Sequence, residues 1–213
     1  MKKIFYIFLI LIIVAGFGYF FSTKEQKEIK PEETNKKYYN VNTGISFSYP
    51  KIFTANTVEG KVTLHHDIPY QNSGACDMAE EGNAYDKLTD FEMTVEIMNK
   101  NLTDTVKTLS PYIPQENFMN NELIPSPGFI DTYNVGGLSG FAIYEGAEGC
   151  GQTTYYFPIS KDKTLIVTNA SIQALSGVRS PDKINEILAV PGAISKEENT
   201  RFFEEILKSL KTN

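Results

Sequence analysis

The chain has 213 residues, 41% of them hydrophobic and 22% charged, with a formal net charge of −6. That is ordinary for a globular protein, and setting the first 37 residues aside leaves enough chain for one domain with a proper core, not two. From Ser22 onward 18 basic residues stand against 26 acidic ones, with no basic stripe interleaved with aromatics, so nucleic acid is not an expected partner.

The N-terminus reads MKKIFYIFLILIIVAGFGYFF, with no charge from Ile4 to Phe21. At about 1.5 Å per residue that run makes a helix close to the roughly 30 Å hydrocarbon core of a bilayer. Lys2 and Lys3 hold its start in the cytoplasm. Residues 1–21 are therefore expected to be a transmembrane signal-anchor helix, single-pass in the cytoplasmic membrane, with the rest of the chain extracytoplasmic. A cleaved signal peptide, which would leave the domain secreted, is the competing reading. Its apolar core is usually about 7–15 residues and is followed by a small-residue site. Here Phe17, Tyr19, Phe20 and Phe21 occupy that place, and Val14-Ala15-Gly16 or Gly16-Phe17-Gly18 would be poor sites. No cysteine follows the run, which excludes a lipid-anchored variant. Residues 22–37, STKEQKEIKPEETNKK, hold five lysines and four glutamates and read as a charged flexible tether.

From residue 38 to 213 the texture is that of strands. In GISFSYP, 44–50, Ile45, Phe47 and Tyr49 alternate with Ser46 and Ser48, the period of a strand buried on one face. KVTLHHDI, 61–68, and FEMTVEIM, 91–98, alternate in the same way. GLSGFAIYEG, TTYYFPIS and KTLIVTNASI follow from 137 to about 172, with SKDK, 160–163, as a hairpin connection. Consecutive strands with short links predict an antiparallel sheet with one covered face. Its core is expected to include Phe47, Leu64, Met93, Val95, Ile97, Phe141, Ile143, Phe157 and Val167.

Helices supply the cover. SKEENTRFFEEILKSLK carries a capping box, Ser195 with Glu198, and an apolar stripe of Phe202, Phe203, Ile206, Leu207 and Leu210. SPDKINEIL, 180–188, has Ser180 as cap and Pro181 at the first helical position. A third short helix is expected at about 102–110. The fold class is α+β: a twisted antiparallel β-sheet covered by helices.

This order of elements resembles the PsbP/Mog1-like domain of anchored bacterial proteins. The residues that carry the resemblance are Tyr39-Asn40, Gly44 to Pro50, Phe53, the Gly136-Gly137 to Gly140 turn, Tyr155-Tyr156-Phe157, and the closing helix with Phe203, Ile206, Leu207, Ser209 and Leu210. It covers roughly residues 38 to 211. Relatives often carry a tryptophan just after the first Tyr-Pro, where this chain has Phe53 and no tryptophan anywhere. These are core and turn positions, which speak to fold and not to activity.

Candidate chemistry is sparse. Cys76 and Cys150 are the only cysteines, in segments that read as loops, and an even count outside a membrane predicts a disulfide. Two unpaired thiols, with a catalytic cysteine among them, are the alternative. His65 and His66 are the only histidines, and neighbours on a strand face opposite ways, so they do not chelate one metal together. GLSGF fails the G-x-S-x-G pattern at its last position. S-x-x-K occurs at Ser48, Ser160 and Ser180, and only Ser180 starts a helix, where capping explains it. Asp77, Glu80, Glu81, Asp86 and Asp90, with Glu145 and Glu148, read as a solvated acidic surface without the calcium-loop pattern. Asn101-Leu-Thr103 and Asn169-Ala-Ser171 are glycosylation sequons that matter only in a eukaryote, and the plain anchor argues for a bacterium. No metal or cofactor is expected. The expected function is a non-catalytic binding or accessory domain at the membrane, acting on another envelope protein. The alternatives are a hydrolase built on His65 or His66 and a structural envelope subunit.

Overall fold

The computed structural model describes residues 35–73 and 85–212. The expected membrane helix, the tether up to Thr34, and Cys76 with Asp77, Glu80 and Glu81 lie outside the described residues. Among the described residues no helix is long and apolar enough to cross a membrane. The chain divides between Thr34 and Asn35, and the second unit is the α+β domain.

Two antiparallel sheets of unequal size organise it. The smaller holds β1 (Asn35–Tyr39), β2 (Ile45–Pro50) and the two-residue β12 (Lys211–Thr212), with β2 in the middle. The larger has seven strands: β3 (Thr54–Val58), β4 (Lys61–Ile68), β5 (Leu88–Met98), β8 (Ile130–Val135), β9 (Leu138–Ala147), β10 (Cys150–Ser160) and β11 (Lys163–Ser171). Their spatial order is β3-β4-β5-β11-β10-β9-β8, antiparallel at every step. A short ribbon pairs β6 (Phe118–Met119) with β7 (Glu122–Leu123). The helices are α1 (Leu102–Leu109), α2 (Pro181–Leu188) and α3 (Lys196–Ser209).

The helix ends follow their cap chemistry. Asn101 Oδ1 accepts from the Asp104 N–H at the start of α1, and Ser180 caps α2 with Pro181 at its first position. In α3 the Ser195 hydroxyl accepts from the Glu198 N–H at 3.2 Å while the Glu198 carboxylate accepts from the Ser195 N–H at 3.0 Å, the full capping box. The buried side of α3 is Phe203, Ile206 and Leu207, with Leu210 just beyond its end.

One cluster fuses the small sheet, one face of the large sheet and α3. It joins Ile45, Phe47 and Tyr49 of β2 to Val62, Leu64, Met93, Val95, Phe157 and Val167, and to Phe203, Ile206 and Leu207. A second cluster lies on the opposite face, where Val106 of α1, Ile113 and Leu123 meet Ile130, Ile143, Tyr156 and Ile166. A third, Ile68, Leu88, Leu175 and Ile187, seats α2.

Four expectations are corrected here. The large sheet is covered on both faces, the second of them only in part, because α1 and the segment after it fold back over β9, β10 and β11. Phe141 and Ile143 consequently face this second cluster, opposite Val95 and Phe157: the register pairs Phe141 with Tyr156 and Ile143 with Thr154, whose side chains share that face. GISFSYP forms the centre of the small sheet and not an early strand of the large one. Finally, β1 begins at Asn35, inside the expected tether. Two of its five residues are lysines and all but Tyr38 are exposed, so nothing in their pattern marks a strand. Backbone pairing to β2 and the Tyr38 ring stacked on Phe47 at 4.9 Å hold it.

Candidate functional site

The histidines separate as strand geometry requires. His65 points to the second face of the large sheet, with its Nε2 3.9 Å from Asp67 Oδ2. His66 points to the first face, where its Nδ1–H donates to Asp90 Oδ1 at 2.6 Å and its ring lies 6.1 Å from that of Phe53. Asp90 is fully buried, which corrects its place in a solvated acidic surface. The cause is a β-bulge: His66 pairs with Phe91 but Asp67 pairs with Thr89, so Asp90 is the extra residue of β5 and turns inward beside Phe91. Its second oxygen accepts the Ile194 N–H at 2.7 Å, and its backbone carbonyl accepts from Asn199 Nδ2 at 3.0 Å. The carboxylate thus ties β4 and β5 to the first turn of α3. No hydroxyl among the described residues hydrogen-bonds His66, and the pair sits in the wall between sheet and helix.

Cys150 is the first residue of β10 and not a loop residue, paired with Ala147 across a two-residue hairpin turn. Glu148 and Gly149 in that turn both have positive φ, 51° and 75°, as a type I′ hairpin demands. Cys150 carries no free thiol. Among the described residues no group of three or more His, Cys, Asp or Glu side chains is placed to hold a metal ion.

A polar network centred on Glu145 lies on the second face of the seven-stranded sheet. Where α1 ends, half-buried side chains of β5, β11 and β10 line an opening, Glu92, Thr94 and Glu96, then Thr168 and Ala170, then Gln152, with the buried Thr154 at its base. They floor a cleft of about 230 Å³ with Leu109 on its lip, and the cleft continues past Gly146 and Gly151 toward Ile172. At one side of it Glu145 gathers three neutral donors. The Ser110 hydroxyl donates to Oε1 at 2.7 Å, the Tyr112 hydroxyl to the same oxygen at 2.6 Å, and Gln152 Nε2 to Oε2 at 3.2 Å. Because the single Ser110 proton is committed to Glu145, the buried Tyr156 hydroxyl donates to Ser110 Oγ at 2.9 Å. Burial, then the bond to the Glu145 carboxylate, holds the Tyr112 phenol well above its ordinary range. Burial pushes the Tyr156 phenol up to about 12. Both hydroxyls therefore stay protonated and serve as donors.

No cation answers Glu145 in this network, and the Lys61 ammonium reaches Glu96 only at 3.7 Å, on the rim. Three carboxylates, Glu92, Glu96 and Glu145, thus stand against one lysine. The arrangement suits recognition of a positively charged, hydrogen-bonding surface. It lacks the nucleophile–base–orienter geometry of an acyl-transfer site. Sequence reading sets Glu145 among solvated acids, treats Tyr156 only as a strand residue and does not single out Ser110 or Tyr112, because the 110–112 segment lies more than 30 residues from Glu145 and Tyr156.

No protein-family model and no curated protein matches the chain. Among solved structures it is similar to a crystal structure from Bacteroides thetaiotaomicron VPI-5482, with a TM-score of 0.42 and 10% identity over 84% of this chain and 49% of that one. It is also similar to the solution structure of cyanobacterial PsbP (CyanoP) from Synechocystis sp. PCC 6803, with a TM-score of 0.39 and 12% identity over 87% of this chain and 96% of that one. The chain thus spans about half the length of the Bacteroides chain. Likeness at this level concerns overall form and leaves function untouched.

Proposed function

We propose that the chain is a membrane-anchored, extracytoplasmic, non-catalytic binding or accessory domain of the PsbP/Mog1 type, and that its partner is another envelope protein. In this reading residues 1–21 anchor it with the N-terminus in the cytoplasm, the charged segment that follows is the tether, and a Cys76–Cys150 disulfide braces the groove's far end. The uncovered, acidic groove on the second sheet face is the observation that carries it. What distinguishes this open sheet face from an ordinary solvated one is its chemistry: it offers carboxylates, hydroxyls and an aliphatic lip, the complement of a basic surface.

A photo-crosslinker placed at Thr94 or Thr168 in the full-length, anchored chain tests it. Capture of one envelope protein from those two positions, absent from Asp162 in the β10–β11 turn and lost with Glu92→Lys, supports the reading. No capture, together with turnover of ester or peptide substrates that His66→Ala abolishes, would replace it with the hydrolase. That alternative has one supporting observation, the 2.6 Å bond between His66 and a buried carboxylate.

A further inference from the structure

A second cleft, of about 290 Å³, lies on the other face of the sheet, between the end of β11 and the first turn of α3. Tyr144, Asn169, Ser171, Leu175, Ser176 and Lys196 contribute to its lining. One wall is the β9–β10 turn, which packs so closely that a β-carbon on Gly149 would collide with the Ser176 side chain. Gln173 Nε2 fixes that turn by donating to the Glu148 carbonyl at 3.1 Å.

Two features of this cleft are unexplained by the fold. The first is Asn169 Oδ1, the one buried side-chain oxygen or nitrogen among the described residues without a hydrogen-bond partner. A buried acceptor left in that state costs stability unless a donor is supplied from outside. Apolar residues are the usual choice for this inward-facing position of β11, as Leu165 and Val167 show on the same side of the strand. The second is Lys196, the only charged side chain that lines the cleft, which makes no ion pair among the described residues although the chain as a whole is acidic. The Ser171 hydroxyl, on the same lining, makes no hydrogen bond among the described residues. The space is some ten times the volume share of one water, so a single bridging water does not fill it.

We propose that this cleft binds a small organic acid that also carries an N–H or O–H donor, an amino or hydroxy acid. The ligand's donor satisfies Asn169 Oδ1, its carboxylate accepts from Lys196 Nζ and the Ser171 hydroxyl, and its short aliphatic part lies against Leu175 and Ile172. The site opens on the other sheet face from the acidic groove, whose far end shares Ser171 and Ile172 with it, and it does not depend on the partner assigned there.

The test is calorimetric titration of the full-length chain with L-serine and L-lactate, against acetate, which has the acid without the donor, and glycerol, which has donors without the acid. Serine or lactate is expected to bind saturably in the millimolar range, with acetate and glycerol at least about tenfold weaker. Lys196→Gln, on an exposed position that leaves the fold intact, should weaken binding about tenfold, and Asn169→Ala likewise. Glu92→Lys in the groove should change nothing. Absence of saturable binding by both acids, equal binding of acetate, or full affinity in Lys196→Gln would each overturn the proposal and leave a hydrated cavity. If Asn169→Ala fails to fold, the lysine variant alone decides.

Discussion

Replacing Asp90 tests the most consequential polar contact in the domain. The carboxylate is fully buried and accepts from His66 Nδ1 at 2.6 Å and the Ile194 N–H at 2.7 Å. Asp90→Ala removes both acceptors and strands two donors between sheet and helix. A buried donor left without its acceptor typically costs about 1–3 kcal/mol, and two donors are stranded here. An overall loss of about 3–5 kcal/mol is expected, a large share of a typical domain's stability. Asp90→Asn keeps one oxygen as acceptor and should cost less than half as much. The measurement is urea unfolding of the full chain followed by circular dichroism and tyrosine fluorescence, since the protein has no tryptophan. A double-mutant cycle with His66→Ala should give a coupling above about 1 kcal/mol. A loss below about 1 kcal/mol for Asp90→Ala, or additivity in the cycle, would refute the claim that this carboxylate clamps α3 to the sheet.

Val95→Ala and Leu207→Ala, each fully buried in the cluster that joins sheet to helix, should each cost about 2–4 kcal/mol by the same unfolding assay. Gly140→Ala should cost at least about 2 kcal/mol, because its β-carbon would collide with the Tyr156 carbonyl of the neighbouring strand. Burial raises both the Tyr155 and Tyr156 phenols to about 12 from an ordinary value near 10, so the folded state favours the neutral form. The stability this provides is complete below about pH 10 and falls as pH rises through about 12; Tyr155→Phe should flatten that fall in unfolding curves taken along the pH series. For the cysteines, non-reducing peptide mapping should return a single Cys76–Cys150 cross-link, and reduction should lower stability by about 4 kcal/mol for a loop of about 75 residues in the chain-entropy model.

Local rules carried the sequence reading a long way. Alternation marks β2, β4, β5, β10 and β11, and cap chemistry at Ser180 and Ser195 marks two of the three helices where they stand. What stayed hidden was relational. The pattern in FAIYEG shows that Phe141 and Ile143 share a face, but only the register against Tyr156 and Thr154 shows which face it is. The edge strand β3, TANTV, is nearly all exposed and carries no periodic signal. The bulge at Asp90 did leave a trace: the buried apolar positions Leu88, Phe91, Met93 and Val95 are spaced three, two and two apart, and the odd interval marks the extra residue. The groove left none, because Ser110, Tyr112, Glu145 and Tyr156 meet only once α1 has folded across β10.

The position of β2 bears on how the domain is made. Its two neighbours come from opposite ends of the described chain, residues 35–39 and 211–212, and the Ser48 N–H is answered by the Ser209 hydroxyl, 161 residues later, at 2.9 Å. At roughly 5–20 residues per second, the ribosome takes roughly 8–30 s to deliver the strand and helix that complete this sheet. Through that interval Ile45 and Phe47 have a hairpin partner on one side and an open edge on the other, the condition in which strands pair with the wrong chain. Closure of the domain is therefore a late event in its synthesis, and a nascent chain stopped before α3 would hold its best-buried N-terminal strand in an adhesive state.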